Sequence, residues 1–378
     1  MLFDTMQNGG GELPRQCGEY WLRQEIGRGA YGTVYLASAP GGGRVAVKVC
    51  RREDIGDERY ERELRGAKLY RAIPPQEGLV RMLELAEEPW GFFAVMELAD
   101  DEFGGPQEAS AGYRPKTLAS VIAGEKALPL GECVKLGVTL AKGLAALQRH
   151  HLLHRDIKPG NVIYVGGRPV LSDPGLVVEE AAAASLVGTP GYVPPESFTA
   201  ASGDVYSLGL TLKAASFGRK VEDLDKGPAL EADTRARFFP AWWRILNKAT
   251  DPTPSRRYQS AKALLKDFES LNRIIVVVGS PLFKVSIALL ALIVLVVVWS
   301  LAASGGRSVS VQEVKEALLE DAIKNDPNLQ RIRSGEFERD MDRQLEEMEN
   351  EQKEHLARLQ AEFAPKSTDN ESDESDSK

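Results

Sequence analysis

The chain has 378 residues, 43% hydrophobic and 27% charged, with 35 glycines and 21 prolines, a globular composition long enough for about two domains at roughly 100–200 residues each. It excludes collagen-like, disulfide-scaffold and wholly disordered architectures. The formal charge of −8 is concentrated in residues 304–378, which carry 11 Lys/Arg against 20 Asp/Glu; the near-neutral remainder has no basic stripe, so no nucleic-acid partner is expected.

The first residues, MLFDTMQNGGGELPRQ, lack the charged and apolar regions of a signal peptide, so 1–19 reads as a flexible leader. Strand-like alternation follows at Tyr20–Arg28, Thr33–Ser38, Arg44–Cys50, Leu79–Glu84 and Gly91–Glu97, with a helix-like piece at Asp57–Arg71 among them. From Thr117 onward the pattern turns helical, most clearly at Leu130–Arg149 and Ser260–Leu271. A small β part followed by a larger α part predicts an α+β domain with two lobes. Cys17, Cys50, Cys133 and four histidines are too few and too scattered for structural zinc, and the cysteines read as reduced thiols.

Near the start lies Gly27-Arg28-Gly29-Ala30-Tyr31-Gly32, glycines at a spacing that lets backbone close over phosphates. A dinucleotide fingerprint should open a helix, whereas Thr33-Val34-Tyr35-Leu36 continues as a strand, so a hairpin flap is expected. Val45-Ala46-Val47-Lys48 follows, and Lys48 can reach phosphates if a carboxylate holds it; Glu63 is the best-placed candidate and Glu61 the reserve.

Downstream come His154-Arg155-Asp156-Ile157-Lys158-Pro159-Gly160-Asn161, Asp173-Pro174-Gly175, Pro194-Pro195-Glu196 and Asp204-Val205-Tyr206-Ser207-Leu208-Gly209. In this order and spacing the motifs resemble the eukaryotic-type Ser/Thr protein kinase family, in its bacterial, membrane-anchored, receptor-like form, over residues 20–272. The resemblance implies a two-lobed protein-kinase-like fold that binds ATP with Mg²⁺, Mn²⁺ being the alternative ion, and acts on protein substrates. It places Gly27, Gly29, Gly32, Val34, Ala46, Lys48, Glu63, Met96 and Glu97 at the nucleotide. Asn161 and Asp173 would hold the metal. Asp156 would take or orient the hydroxyl proton, and Lys158 would balance γ-phosphate charge, with Lys48 completing the catalytic set. Gly188-Thr189-Pro190-Gly191-Tyr192 and Lys158 resemble the serine/threonine type. Arg257 is similar to the late arginine that pairs with the Glu of the A-P-E motif, here Glu196. Lys48→Met, Asp156→Asn and Asp173→Ala should each abolish transfer and leave the fold largely intact.

There are departures. Pro174 stands where the family has an aromatic residue, which gives the alternative reading of a nucleotide-binding pseudokinase acting as a signalling scaffold. An extra polar stretch, 99–116, is expected at the nucleotide mouth, as a solvated loop or a surface for a basic peptide. Arg155 suggests a pocket for a phosphorylated loop residue, served either by Ser185 or by a permanent charge on Glu179 or Glu180.

Beyond a juxtamembrane piece, 273–284, Val285–Ala303 is 19 residues without a charge, about 28 Å as a helix and enough to cross a bilayer. A single-pass cell-membrane protein is expected, kinase domain cytoplasmic and residues 304–378 extracytoplasmic. Within that tail Phe337–Phe363 has apolar residues at three- and four-residue steps, as a homodimeric coiled coil or a single solvated helix would, before an acidic, Ser-rich disordered end.

Overall fold

In a computed structural model, which describes residues 5–6, 13–14, 16–29, 31–104, 112–123, 126–173, 178–179, 188–198, 200–226, 237–279, 289, 291–297 and 299, the early alternation becomes a six-stranded antiparallel sheet. The chain divides into two units, 1–280 and 281–378. In the first, β1 (Thr5–Met6) pairs with β2 (Leu13–Pro14) as a separate ribbon. The sheet itself runs in the order β3 (Gln16–Cys17), β4 (Tyr20–Gly29), β5 (Gly32–Ser38), β6 (Arg44–Arg51), β8 (Gly91–Met96), β7 (Met82–Glu88).

Period-two alternation decides what faces the cleft. On β6, Val45, Val47 and Val49 join Tyr35, Phe93 and Val95 in a core on one side of the sheet. Ala46 and Cys50 join the main core on the other side, and Lys48, lying between them, points the same way. Helix α2 (Asp57–Arg71) packs against that side, after a short α1 (Arg52–Ile55). Its buried residues Tyr60, Glu63, Leu64, Ala67 and Tyr70 recur at three- and four-residue steps, so Glu63 lies on the inner face.

The strand expected from Leu79 begins only at Met82. Gly78 explains the delay: with φ +82 it lies so close to α4 (Leu130–Arg149) that a Cβ there would come 2.1 Å from the Thr139 carbonyl. Leu79 and Val80 are thereby held by Leu171 of the lower lobe, through a parallel bridge and a 2.9 Å backbone bond.

The lower lobe is helical. After α3 (Leu118–Val121), α4 buries Leu136, Leu140, Leu144 and Leu147 against the main core. β9 (Leu152–Leu153) pairs with β12 (Val178–Glu179), and β10 (Val162–Val165) with β11 (Arg168–Leu171). The last hairpin turns on Gly166 and Gly167, both at positive φ, as a tight two-residue turn requires. Helix α5 (Ala201–Phe217) is buried almost throughout, and α6 (Phe239–Ala249) and α7 (Ala261–Gly279) close the lobe. α7 runs past the domain boundary expected at 272.

Within the second unit, Leu289, Ala291–Val297 and Trp299 are described, all helical and mostly exposed. Among the described residues no helix is long and apolar enough to cross a membrane. The rest of 285–303, the tail 304–378 and most of the leader lie outside the described residues, as do Pro174, Glu180, Ser185 and 105–111.

Candidate active site

The sheet and the helical lobe each contribute one half of a polar cluster. From the sheet, Lys48 Nζ lies 3.3 Å from Glu63 Oε2 and 2.6 Å from Asp173 Oδ1. The reserve candidate Glu61 is elsewhere, accepting from Arg52 on the surface at 2.8 Å. Burial works against the Lys48 charge, but the Asp173 and Glu63 carboxylates outweigh it and raise the ammonium above its usual value. Burial pushes Glu63 up despite Lys48. Asp173 goes the other way: burial opposes its charge, yet Lys48 prevails and holds it below the usual carboxylate range.

The flap is the β4–β5 hairpin, with Gly27 opposite Val34 and Gly29 opposite Gly32. Its glycines are not equivalent. A Cβ on Gly32 would meet the Val49 carbonyl at 2.6 Å, so glycine is needed there for packing on β6, whereas at Gly27 and Gly29 the nearest atoms are at 3.9 and 3.8 Å. Tyr31 at the tip lies 5.6 Å beneath the Arg62 guanidinium of α2, a contact with no local signal in the sequence pattern. Val34 is half-buried, Ala46 and Met96 line the core below the flap, and the Glu97 N–H donates to Arg81 O at 3.1 Å.

From the helical lobe comes Asp156. Its Oδ2 accepts from Asn161 Nδ2 at 2.7 Å and lies 2.9 Å from Lys158 Nζ. Its Oδ1 accepts from Thr189 Oγ1 at 2.6 Å, and that hydroxyl in turn accepts from Lys158 at 2.6 Å. The loop carrying these groups is fixed from beneath. Buried Asp204 of α5 accepts the His154 and Arg155 N–H groups at 2.7 and 2.8 Å, and burial raises its carboxyl despite them. His154 Nε2 lies 3.1 Å from Ser172 O while Nδ1 faces the Asp156 N–H at 3.4 Å, a pattern the Nε2–H tautomer satisfies.

Asn161 and Asp173 are drawn together because Ser172 donates to Asn161 O through both its N–H, at 2.8 Å, and its hydroxyl, at 3.0 Å. They offer a carboxylate and an amide oxygen, hard donors of the kind Mg²⁺ takes alongside water and phosphate oxygens. The Asp173 side chain is half-buried, with one oxygen on Lys48, and Asn161 spends its Nδ2 on Asp156, a direction that leaves the amide oxygen for other use. The donor set therefore fits such an ion. Among the described residues no group of three or more His, Cys, Asp and Glu forms a larger metal cage.

Three expectations meet a different outcome or more detail. Of the stretch 99–116 expected at the nucleotide mouth, 105–111 lie outside the described residues; at its two ends Asp100 accepts the Gly166 and Gly167 N–H groups at 2.8 and 2.7 Å and caps the β10–β11 turn, while Tyr113 O accepts from Gln24 Nε2 of β4 at 2.9 Å. Arg155 is buried, and burial lowers its pKa. Arg257 grips Glu196 with two bonds, at 2.6 and 2.9 Å.

Residues 20–273 match the family model described as protein kinase domain. The chain is 30% identical over 218 residues to the probable serine/threonine-protein kinase PkwA of Thermomonospora curvata, 54% of this chain and 27% of that one. It is 32% identical over 251 residues to the serine/threonine-protein kinase PknK of Mycobacterium tuberculosis, 64% of this chain and 20% of the relative. To the serine/threonine-protein kinase AfsK of Streptomyces griseus it is 31% identical over 217 residues, 54% and 25% respectively. The matched part thus spans between a fifth and just over a quarter of these relatives.

Proposed function

The chain belongs to the protein kinase domain family, and from that premise we propose that it is a membrane-anchored serine/threonine protein kinase, passing the ATP γ-phosphate to hydroxyls of protein substrates in signalling. The observation that carries this reading is the arrangement of Asp156, Asn161, Lys158 and Thr189 in the lobe opposite the Lys48–Glu63 pair, with Asp173 joining the two halves. The names of PkwA, PknK and AfsK favour serine and threonine as acceptors.

In this reading Lys48, held by Glu63, meets the α- and β-phosphates under the glycine flap, while Val34, Ala46, Met96 and Glu97 surround the base. Asn161 and Asp173 would hold Mg²⁺, or Mn²⁺ in its place. When bound, the ion neutralises charge on the phosphate oxygens. Asp156 accepts the proton of the substrate hydroxyl as its oxygen bonds the γ-phosphorus and the bond to ADP breaks. Lys158 balances charge on the transferred group, and Thr189 keeps Lys158 and Asp156 in register.

The membrane part rests on sequence: 19 uncharged residues at 285–303, with Lys262, Lys266, Arg273 and Lys284 on the proposed cytoplasmic flank against Arg307 and Lys315 beyond. The tail would then be extracytoplasmic and suited to pairing two copies. The test is the full chain with labelled ATP and Mg²⁺ or Mn²⁺ beside an Asp156→Asn variant. Transfer that is equal in both would overturn the enzymatic reading. Protease protection that leaves residue 378 in the cytosol would overturn the topology.

A further inference from the structure

Helix α7 outruns the domain that it closes. Up to Leu271 its inner residues Ala261, Leu264, Phe268 and Leu271 are buried in the helical core. Beyond Arg273 the sequence is Ile274-Ile275-Val276-Val277-Val278-Gly279, with no polar side chain, and Ile274, Val276 and Val277 are 49%, 57% and 53% exposed. Ile275 packs on the core, but the exposed side chains of the other apolar residues in this last stretch of helix are unfavourable in water and call for an apolar cover.

Ile274 is also a wall of the groove between α6 and α7, about 420 Å³ in volume. Arg244 and Lys248, one turn apart on α6 and both exposed, line the groove with Tyr258, Asp267 and Ser270. Among the described residues that line it, Asp267 is the sole carboxylate and already accepts the Tyr258 hydroxyl at 2.7 Å, while Lys248 Nζ sits 4.3 Å over the Tyr258 ring. Arg273 donates to Ser270 Oγ at 3.3 Å and adds a third cation at the rim. The combination is a cationic rim, a mostly apolar cleft with a few polar groups, and adjoining exposed apolar side chains.

Chain length says what lies nearby. From Gly279 to Val285 there are six peptide steps, a reach of about 20 Å at most. We propose that the α6–α7 groove binds the phosphodiester headgroup of an anionic phospholipid, with Arg244, Lys248 and Arg273 around the phosphate and the last turns of α7 in the apolar boundary beneath. This assignment rests on the reading of 285–303 as a membrane span. A bilayer is the occupant because exposed Ile274 and Val276 lead within that reach into an uncharged segment, and because among the described residues the groove brings three cations against Asp267, which is already engaged.

The test uses the full chain with Ile274→Cys, which a spin label will reach selectively because Cys17, Cys50 and Cys133 are buried. The protein is incorporated into phosphatidylcholine vesicles with and without phosphatidylglycerol, and collision of the label with a water-soluble nickel chelate is measured. Access should fall severalfold when phosphatidylglycerol is present. Adding Arg244→Gln, Lys248→Gln and Arg273→Gln should remove that difference while peptide phosphorylation stays at its usual rate. Equal access in the two vesicles, or shielding that survives the triple substitution, overturns the proposal. Displacement by excess soluble glycerol phosphate also overturns it, by assigning the groove to free phosphate esters. Alkaline extraction of the same vesicles reports on the span separately: release of the chain with shielding intact sinks the span and spares the groove, and retention without shielding does the reverse.

Discussion

The Thr189 hydroxyl donates to Asp156 Oδ1 at 2.6 Å, across 33 residues of sequence, and in the same position accepts from Lys158. One side chain thus bridges Asp156 and Lys158 beside their direct 2.9 Å ion pair. A hydrogen bond to a charged group contributes about 1.5–3 kcal/mol, so Thr189→Ala should lower kcat by roughly ten- to a hundredfold. KM for ATP should change little. Thr189→Ser keeps the hydroxyl and should recover most of the rate in steady-state assays; an equal loss in both variants would place the effect in the methyl group.

Lys48→Met should abolish transfer, and it should also weaken the fold, contrary to the simpler expectation from sequence. The burden falls on Glu63, whose side chain is fully buried, more than on Asp173, which reaches the cleft. Leaving one side of a buried pair without its partner costs about 3–5 kcal/mol. The urea midpoint of Lys48→Met should fall accordingly, and the double variant Lys48→Met/Glu63→Gln should regain much of it while remaining inactive. A single variant with the wild-type midpoint would show that solvent already screens the pair.

The contrast between Glu63 and Asp100 shows how far sequence reaches. Glu63 can be separated from Glu61 by helical spacing alone, since it shares a face with Tyr60, Leu64 and Ala67. Lys48 is likewise placed by strand alternation between Ala46 and Cys50. Asp100 gives no such sign, because its partners Gly166 and Gly167 are 66 and 67 residues away and meet it only once the lobe is assembled. The same holds for Asp204 under the His154 loop and for Gly32, whose necessity comes from the Val49 carbonyl on a neighbouring strand. Local periodicity carries the faces of elements; caps and close approaches belong to tertiary contact.

Asp100→Ala tests that capping role. It removes both acceptors from the hairpin turn, and the loss of a cap of this kind costs about 0.5–2 kcal/mol. Thermal unfolding should come earlier, while kcat and KM for ATP stay near the wild-type values. A raised KM with an unchanged melting temperature would give Asp100 a role in nucleotide binding and not in the turn.

Lys213 on α5 supplies a pH signature. Burial pushes its ammonium down to about 8 from the ordinary 10.5, even though Nζ lies 4.9 Å from the centre of the Trp243 ring, itself stacked on Phe217 at 4.6 Å. The native protein therefore releases this proton before the unfolded chain does. Between about pH 8 and 10.5 the unfolded chain holds more protons at this site, and stability contributed by Lys213 rises with pH across that window; below it the fold carries the cost of a desolvated charge. Lys213→Met, similar in length and uncharged, should raise the melting temperature at pH 7. The gain over the wild type should shrink as pH rises through the window and vanish above it, a difference measurement in which the other titrating groups cancel. Lys213→Arg, which stays charged, should lie close to the wild type near pH 7 and fall increasingly below it as pH rises through the window. Parallel curves for the wild type and Lys213→Met from pH 7 to 10.5 would mean that the cation–π contact fully offsets the burial.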